Sequence, residues 1–158
     1  MNLKLWIMKK EYHRDEIRKH LIHLKEEEIR NLEQAAGIFS GDADLDEEAV
    51  IDADDLSHQS QSTEAAQNVY VQLEEARQQL DAFRKMHPED GRVITDGSII
   101  ITNQVNMVVG LSFKDFEWKG ARFVGISTKA PVFSALAGKR TGDSFRFKDI
   151  EYVIEQIL

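Results

Sequence analysis

The sequence predicts an α+β protein in two parts, an antiparallel coiled-coil hairpin followed by a small, mostly antiparallel sheet domain with one short helix. Three observations predict it. Ala66, Val69, Leu73, Ala76, Leu80 and Phe83 recur in alternating steps of three and four, the a/d spacing of a helix with a single apolar seam. An earlier stretch also carries helical periodicity, and a block of acids separates the two. After Pro88 the apolar pattern changes to period two and short runs, which is strand spacing.

Composition limits the alternatives. With 42% apolar residues in 158, the chain can build a real core, so wholesale disorder is not expected. It has no cysteine, which excludes a disulfide framework and a cysteine-based zinc site. The opening LKLWIM is too short for a secretory apolar region and lacks a small-residue cleavage site. No apolar run approaches the roughly 20 residues of a membrane span. The expectation is a soluble cytoplasmic protein.

Charge is unevenly spread. Residues 1–87 hold 11 Lys and Arg against 19 Asp and Glu, a net of −8, whereas residues 88–158 hold nine of each. Nucleic-acid binders gain affinity by neutralising phosphates with cations, so direct DNA or RNA binding is disfavoured. A basic protein surface or a metal ion suits the acidic half better.

Taken in order, Leu3 to Met8 is a short apolar lead-in. From about Lys9 to Gly37 the chain is rich in Glu, Lys, Arg and Leu. Ile17, Leu21 and Leu24 open an apolar stripe that continues as Ile29, Leu32 and Ala36, and Gly37 is a reasonable stop. Gly41 to Asp55 then holds Asp42, Asp44, Asp46, Glu47, Glu48, Asp52, Asp54 and Asp55 with no Lys or Arg. Such a block repels itself and cannot pack as a core, so it reads as the tip of the hairpin. The second helix is expected over Thr63 to Lys85, about 35 Å long, ended by His87-Pro88.

Beyond the junction at Glu89-Asp90, which divides a hairpin of residues 1–88 from a domain of residues 89–158, strands are expected over Arg92–Thr95, Ser98–Thr102, Val105–Phe113, Ala121–Ser127, Ser144–Lys148 and Ile150–Ile157. Asp96-Gly97, Lys119-Gly120 and Gly142-Asp143 supply turns between them. Pro131 to Ala137 reads as a short helix, with Pro at its first position and Gly138 at its end.

Within this half, Gly125 to Asp143, GISTKAPVFSALAGKRTGD, resembles the carboxy-terminal domain of the bacterial Gre transcript-cleavage factors. Their motif is close to I-S-x-x-S-P-h-x-x-A-L-h-G-K-x-x-G-D, with h apolar. Ile126, Ser127, Pro131, Ala135, Leu136, Gly138, Lys139, Gly142 and Asp143 match it in register. Gly97-Ser98 with Ile99 and Ile101 resembles that family's G-S-x-V-x-V strand, and Glu151-Tyr152-Val153-Ile154 resembles its closing E-Y-x-I strand. The resemblance covers roughly residues 91–158.

It implies an FKBP-like domain behind an antiparallel coiled coil, and a transcription elongation factor that binds RNA polymerase. In that family the globular domain docks at the rim of the secondary channel, and acids at the coiled-coil tip reach the catalytic centre. The matching rim segment here is Lys129, Ala130, Pro131 and Phe133, with Lys129 where some relatives carry an acid. The family's tip reads G-D-L-S-E-N-A-E-Y. Asp55-Leu56-Ser57 match its D-L-S, but Asp54 stands for the Gly, His58 for the first Glu, Gln59 for the Asn and Gln61 for the second Glu. Secondary-channel proteins of the DksA type carry a D-x-x-D pair instead, a spacing that Asp52 and Asp55 satisfy.

Asp52, Asp54 and Asp55 are therefore the candidate active-site acids, with Asp52 and Asp55 the pair able to share the polymerase's magnesium one helical turn apart. The resemblance implies no cofactor of the protein's own, and stimulation of the polymerase's chemistry rather than an enzyme. A non-cleaving, inhibitory regulator is one alternative, and an FKBP-like prolyl isomerase or chaperone is another.

Plainer readings stand beside these. The acids can be a solvated loop, or simple helix-start residues. Asp42, Asp44 and Asp46 mimic the start of a calcium loop, but Glu47 and Ala53 occupy its required Gly and Glu positions. His20 and His23 read as surface residues of the first helix rather than half of a metal site. The aromatics of the second half, alternating as in Ser144-Phe145-Arg146-Phe147, suit a half-buried strand better than a pocket.

Overall fold

A computed structural model describes residues 11–43, 53–87 and 93–158, with the backbone alone at 38–43 and 53–62. The chain is α+β. Two long helices, α1 (Arg14–Ala43) and α2 (Ala53–Lys85), pack together as a hairpin. Then come β1 (Ile99–Thr102), β2 (Asn106–Val109), β3 (Phe116–Trp118), β4 (Ala121–Ile126), the short α3 (Pro131–Leu136), β5 (Ser144–Phe147) and β6 (Ile150–Ile157).

Both helices outrun their sequence signals. Gly37 does not stop α1, which continues to Ala43. Glycine inside a helix costs only about 1 kcal/mol against Ala, so by itself it need not end one. No atom lies within 4 Å of where its Cβ would sit, so no close approach explains the residue. α2 starts at Ala53, ten residues before Thr63, because no Gly or Pro interrupts 53–85.

Compact packing divides the chain into two units, one joining residues up to Ile22 with Ala82–Leu158, the other holding His23–Asp81. In the second unit Leu73, Ala76 and Leu80 are buried as the a/d spacing requires, and Ala66 and Val69 are half-buried. On α1, however, Lys25 is buried (1% exposed) while Leu24 is only half-buried. The α1 seam therefore advances in steps of four from Ile17 and Leu21 to Lys25. Its ammonium reaches Glu28 at 2.8 Å, so the aliphatic stem fills the seam while the charge meets a half-exposed carboxylate. Arg77 of α2 donates to Glu33 of α1 at 2.7 Å.

The first unit is built on a six-stranded mixed sheet in the order β3-β4-β2-β1-β6-β5. All pairings are antiparallel except β2 with β4, which run parallel in the register Asn106↔Phe123 to Val109↔Ile126. The expected strand at 92–95 is absent from 93–95, which instead enters a turn where Ser98 Oγ accepts from the Thr95 amide at 2.9 Å. The expected strand over Val105–Phe113 ends at Val109. Gly110 has φ +86°, and its amide turns to the Ile126 carbonyl at 2.9 Å. β3, not expected from the sequence, pairs with β4 across the Lys119-Gly120 turn, both residues at positive φ.

Two cores lie on opposite faces of this sheet. Ile100, Met107, Val109, Ile126, Tyr152 and Ile154 pack with Val132 and Leu136 of α3 on one face. On the other, Ile99, Ile101, Val108 and Phe123 pack with Tyr12, Ile17 and Leu21 from the first helical segment and Phe83 from the second. β1 and β2 are consequently buried on both faces, which is why IIIT and NMVV read as unbroken runs rather than alternation.

Candidate functional site

Two regions carry the candidate residues, and they are built differently. The first is the segment leading into α3. Ser127 shapes it: its hydroxyl accepts from the Lys129 amide at 3.1 Å, and its carbonyl accepts from the Ala130 amide at 2.9 Å. Ala130 then takes extended geometry (φ −71°, ψ 144°), the conformation that a following proline imposes. Pro131 occupies the first turn, where its missing N–H is no loss. The result leaves Lys129 and Pro131 exposed, while Val132 and Leu136 anchor the helix in the core. Ala130 and Phe133 are half-buried against that core. The four rim candidates are thus brought together in one tight turn and helix start.

After α3 the chain reverses at Gly138 (φ +76°). Asp143 Oδ2 accepts from the Arg140 amide at 2.8 Å and fixes the Lys139–Gly142 turn. The Gly142 amide donates to the Ile154 carbonyl at 2.8 Å, tying that turn to β6. The motif's Gly, Lys, Gly and Asp positions therefore hold a turn between α3 and β5.

The second region is the acidic connection. Asp52 lies outside the described residues, as do Asp44, Asp46, Glu47 and Glu48. Asp54 and Asp55 fall in the first turn of α2, described by its backbone. Negative side chains suit a helix start, so the cap role and a role toward a partner make the same demand on these positions. Among the described residues, no group of three or more His, Asp or Glu is arranged to hold a metal. No described helix is long and apolar enough to cross a membrane.

His20, expected from the sequence as a plain surface residue of the first helix, packs against aromatic rings. Its ring meets Phe116 at 4.7 Å and Trp118 at 4.6 Å between centroids, both edge-on. His23, three residues on, pairs with Glu27 at 3.2 Å. The two histidines thus have separate partners. The signal that could have found the His20 contact is the Phe116-Glu117-Trp118 alternation, which demands a covered face. Phe116 also stacks on Phe123 at 5.2 Å, and Phe145 on Tyr152 at 4.8 Å. These aromatics pack against one another.

Comparison with known families finds no family model that matches the chain, and comparison with curated proteins finds no significant match.

Proposed function

We propose that this protein binds RNA polymerase at its secondary channel and modulates elongation or transcript cleavage through the acidic connection between α1 and α2. The observation that carries the reading is where the acids fall. They occupy residues 44–52 and the first turn of α2, at the ends of two packed helices of 30 and 33 residues. Helices of that length run about 45 and 50 Å along their own axes. The in-register resemblance of Gly125–Asp143 to the Gre carboxy-terminal domain supports a sheet domain that docks at the channel rim through Lys129, Ala130, Pro131 and Phe133.

On this reading the protein has no active site of its own. Asp52 and Asp55 would approach the polymerase's magnesium, which supplies the Lewis acid for hydrolysis. His58 stands where the cleavage factors have their first tip Glu, so inhibition rather than cleavage is the expected effect. The test is transcription and transcript cleavage by the cognate polymerase, on elongating and backtracked complexes, with wild type and Asp52→Asn/Asp55→Asn. The expected result is inhibition by wild type, lost in the double variant at unchanged polymerase binding and helix content. Robust magnesium-dependent cleavage by wild type would refute the inhibitory assignment, and absence of polymerase binding would refute the reading altogether.

A further inference from the structure

We infer that the face around α3 is a docking surface for an acidic protein segment, recognised by Lys129, Lys139, Arg140 and Lys148. The inference rests on the proposed polymerase docking for its natural partner, and adds the chemistry of the surface that partner must present. α3 is six residues long, about 9 Å, so Lys129 before it and Lys139-Arg140 after it flank one short helix. α3 packs on β5, and at the end of β5 the Lys148 ammonium lies 5.5 Å from the centroid of the Phe147 ring. The same stretch of chain carries exposed Pro131 and half-buried Ala130, Phe133, Ala135 and Phe147. Partly exposed apolar groups ringed by charge are the composition of a docking patch.

Like Lys19, Arg30 and Lys114, these cations make no ion pair among the described residues, and what sets them apart is that they flank one short helix. Elsewhere Lys25 pairs with Glu28, Arg77 with Glu33, Lys119 with Glu16 and Arg122 with Asp115. Among the described residues, none of Lys129, Lys139, Arg140 and Lys148 has an ion-pair partner. The two acids of the same stretch are Asp143, which accepts from the Arg140 amide, and Asp149, in the β5–β6 turn beside Lys148. Arg146 is not part of the face: it alternates with buried Phe145 and lies opposite Glu151 across the β5–β6 pair.

A chain of net charge −8 that keeps four cations unpaired around one short helix is complementary to an acidic surface. A polynucleotide is the poorer match, because carboxylates outnumber cations 28 to 20 over the whole chain and the excess repels phosphate at long range.

The test measures binding of the full-length protein to cognate core RNA polymerase, to poly-L-glutamate and to a single-stranded RNA oligonucleotide. Wild type, Lys129→Glu/Arg140→Glu and Lys129→Arg/Arg140→Lys are compared, each checked for unchanged circular dichroism. Charge reversal is expected to weaken polymerase binding about tenfold or more at low salt, with the deficit narrowing between about 0.05 M and about 0.3 M ionic strength. The charge-preserving variant is expected to bind as wild type. Polymerase binding unaffected by reversal overturns the inference while leaving the proposed function standing. Binding to poly-L-glutamate that reversal abolishes, without any binding to polymerase, keeps the inference and removes the polymerase reading. Loss of neither probe on reversal, or preferential capture of RNA through these residues, overturns it.

Discussion

Arg18 joins the two helices near the sheet, and removing it gives a prediction whose size can be worked out. Its guanidinium donates to the Phe83 carbonyl at 2.7 Å and to the Arg84 carbonyl at 3.0 Å. Those carbonyls belong to the last turn of α2, where the helical ladder runs out: the Met86 amide still reaches the Phe83 carbonyl at 3.1 Å, and Arg18 supplies a further donor. The same guanidinium lies 4.7 Å above the Phe83 ring, and that ring is wholly buried. Burial lowers the guanidinium's pKa from its ordinary value, with Arg14 adding to the shift and Asp15 opposing it. An arginine nonetheless stays charged at any working pH. A hydrogen bond to a charged group contributes about 1.5–3 kcal/mol, and the more exposed of these two belongs below that range. The cation–π contact adds about 0.5–1 kcal/mol. Arg18→Ala should therefore cost about 2–4 kcal/mol, or roughly 4–16 °C in Tm for a chain of this size. Arg18→Lys keeps the charge but cannot span two carbonyls with a planar fork, so it should fall between. Urea and thermal unfolding of the full chain, followed by circular dichroism, measure both. A loss under about 0.5 kcal/mol for Arg18→Ala, the range of an ordinary surface substitution, would refute the tethering argument.

Three other perturbations test separate parts of the molecule. Leu73→Ala and Leu80→Ala remove buried seam residues at about 2–5 kcal/mol each, so the double variant should show an early loss of helical signal; an unchanged melt would mean these leucines are not the seam. Lys25→Met replaces a buried ammonium with an apolar chain of similar length and leaves a half-exposed Glu28 that water can solvate, so stability should stay within about 1 kcal/mol of wild type, whereas a clear drop in the urea midpoint would show that the charge itself holds the hairpin. Gly125→Ala would put a Cβ 2.3 Å from the Leu111 carbonyl oxygen and 3.2 Å from Phe113, and a backbone oxygen cannot rotate away. The expected loss is about 1–3 kcal/mol or more, and near-normal stability would mean that β4 is more loosely packed there than the close approach indicates.

Much of this architecture was legible because it is written in local periodicity. The seam Leu73, Ala76, Leu80 and Phe83 declares itself at steps of three and four, and the structure buries all four. The acidic block is equally plain, since eight like charges cannot join a core. The turn at Lys119-Gly120 and the helix beginning at Pro131 follow from residues whose own backbone preferences decide the geometry. The rim candidates Lys129 to Phe133 are contiguous, so local turn chemistry was enough to bring them together.

What the sequence left undecided depends on partners distant along the chain. Whether Leu24 or Lys25 enters the α1 seam is set by how α1 rotates against α2, and a lysine stem fits where its ammonium finds a carboxylate. Phe116-Glu117-Trp118 is too short to announce a strand, and becomes β3 because β4 supplies its ladder and His20 covers its aromatics. The parallel pairing of β2 with β4 cannot be read from either strand, since a run such as NMVV has the same pattern in both directions. Gly125 looks like any turn glycine until Leu111 lies against it. Periodicity is enforced within a few residues by backbone geometry, so a sequence carries it openly. Rotation, register and close approach are chosen by the side chains that arrive from elsewhere, and only the packed chain decides them.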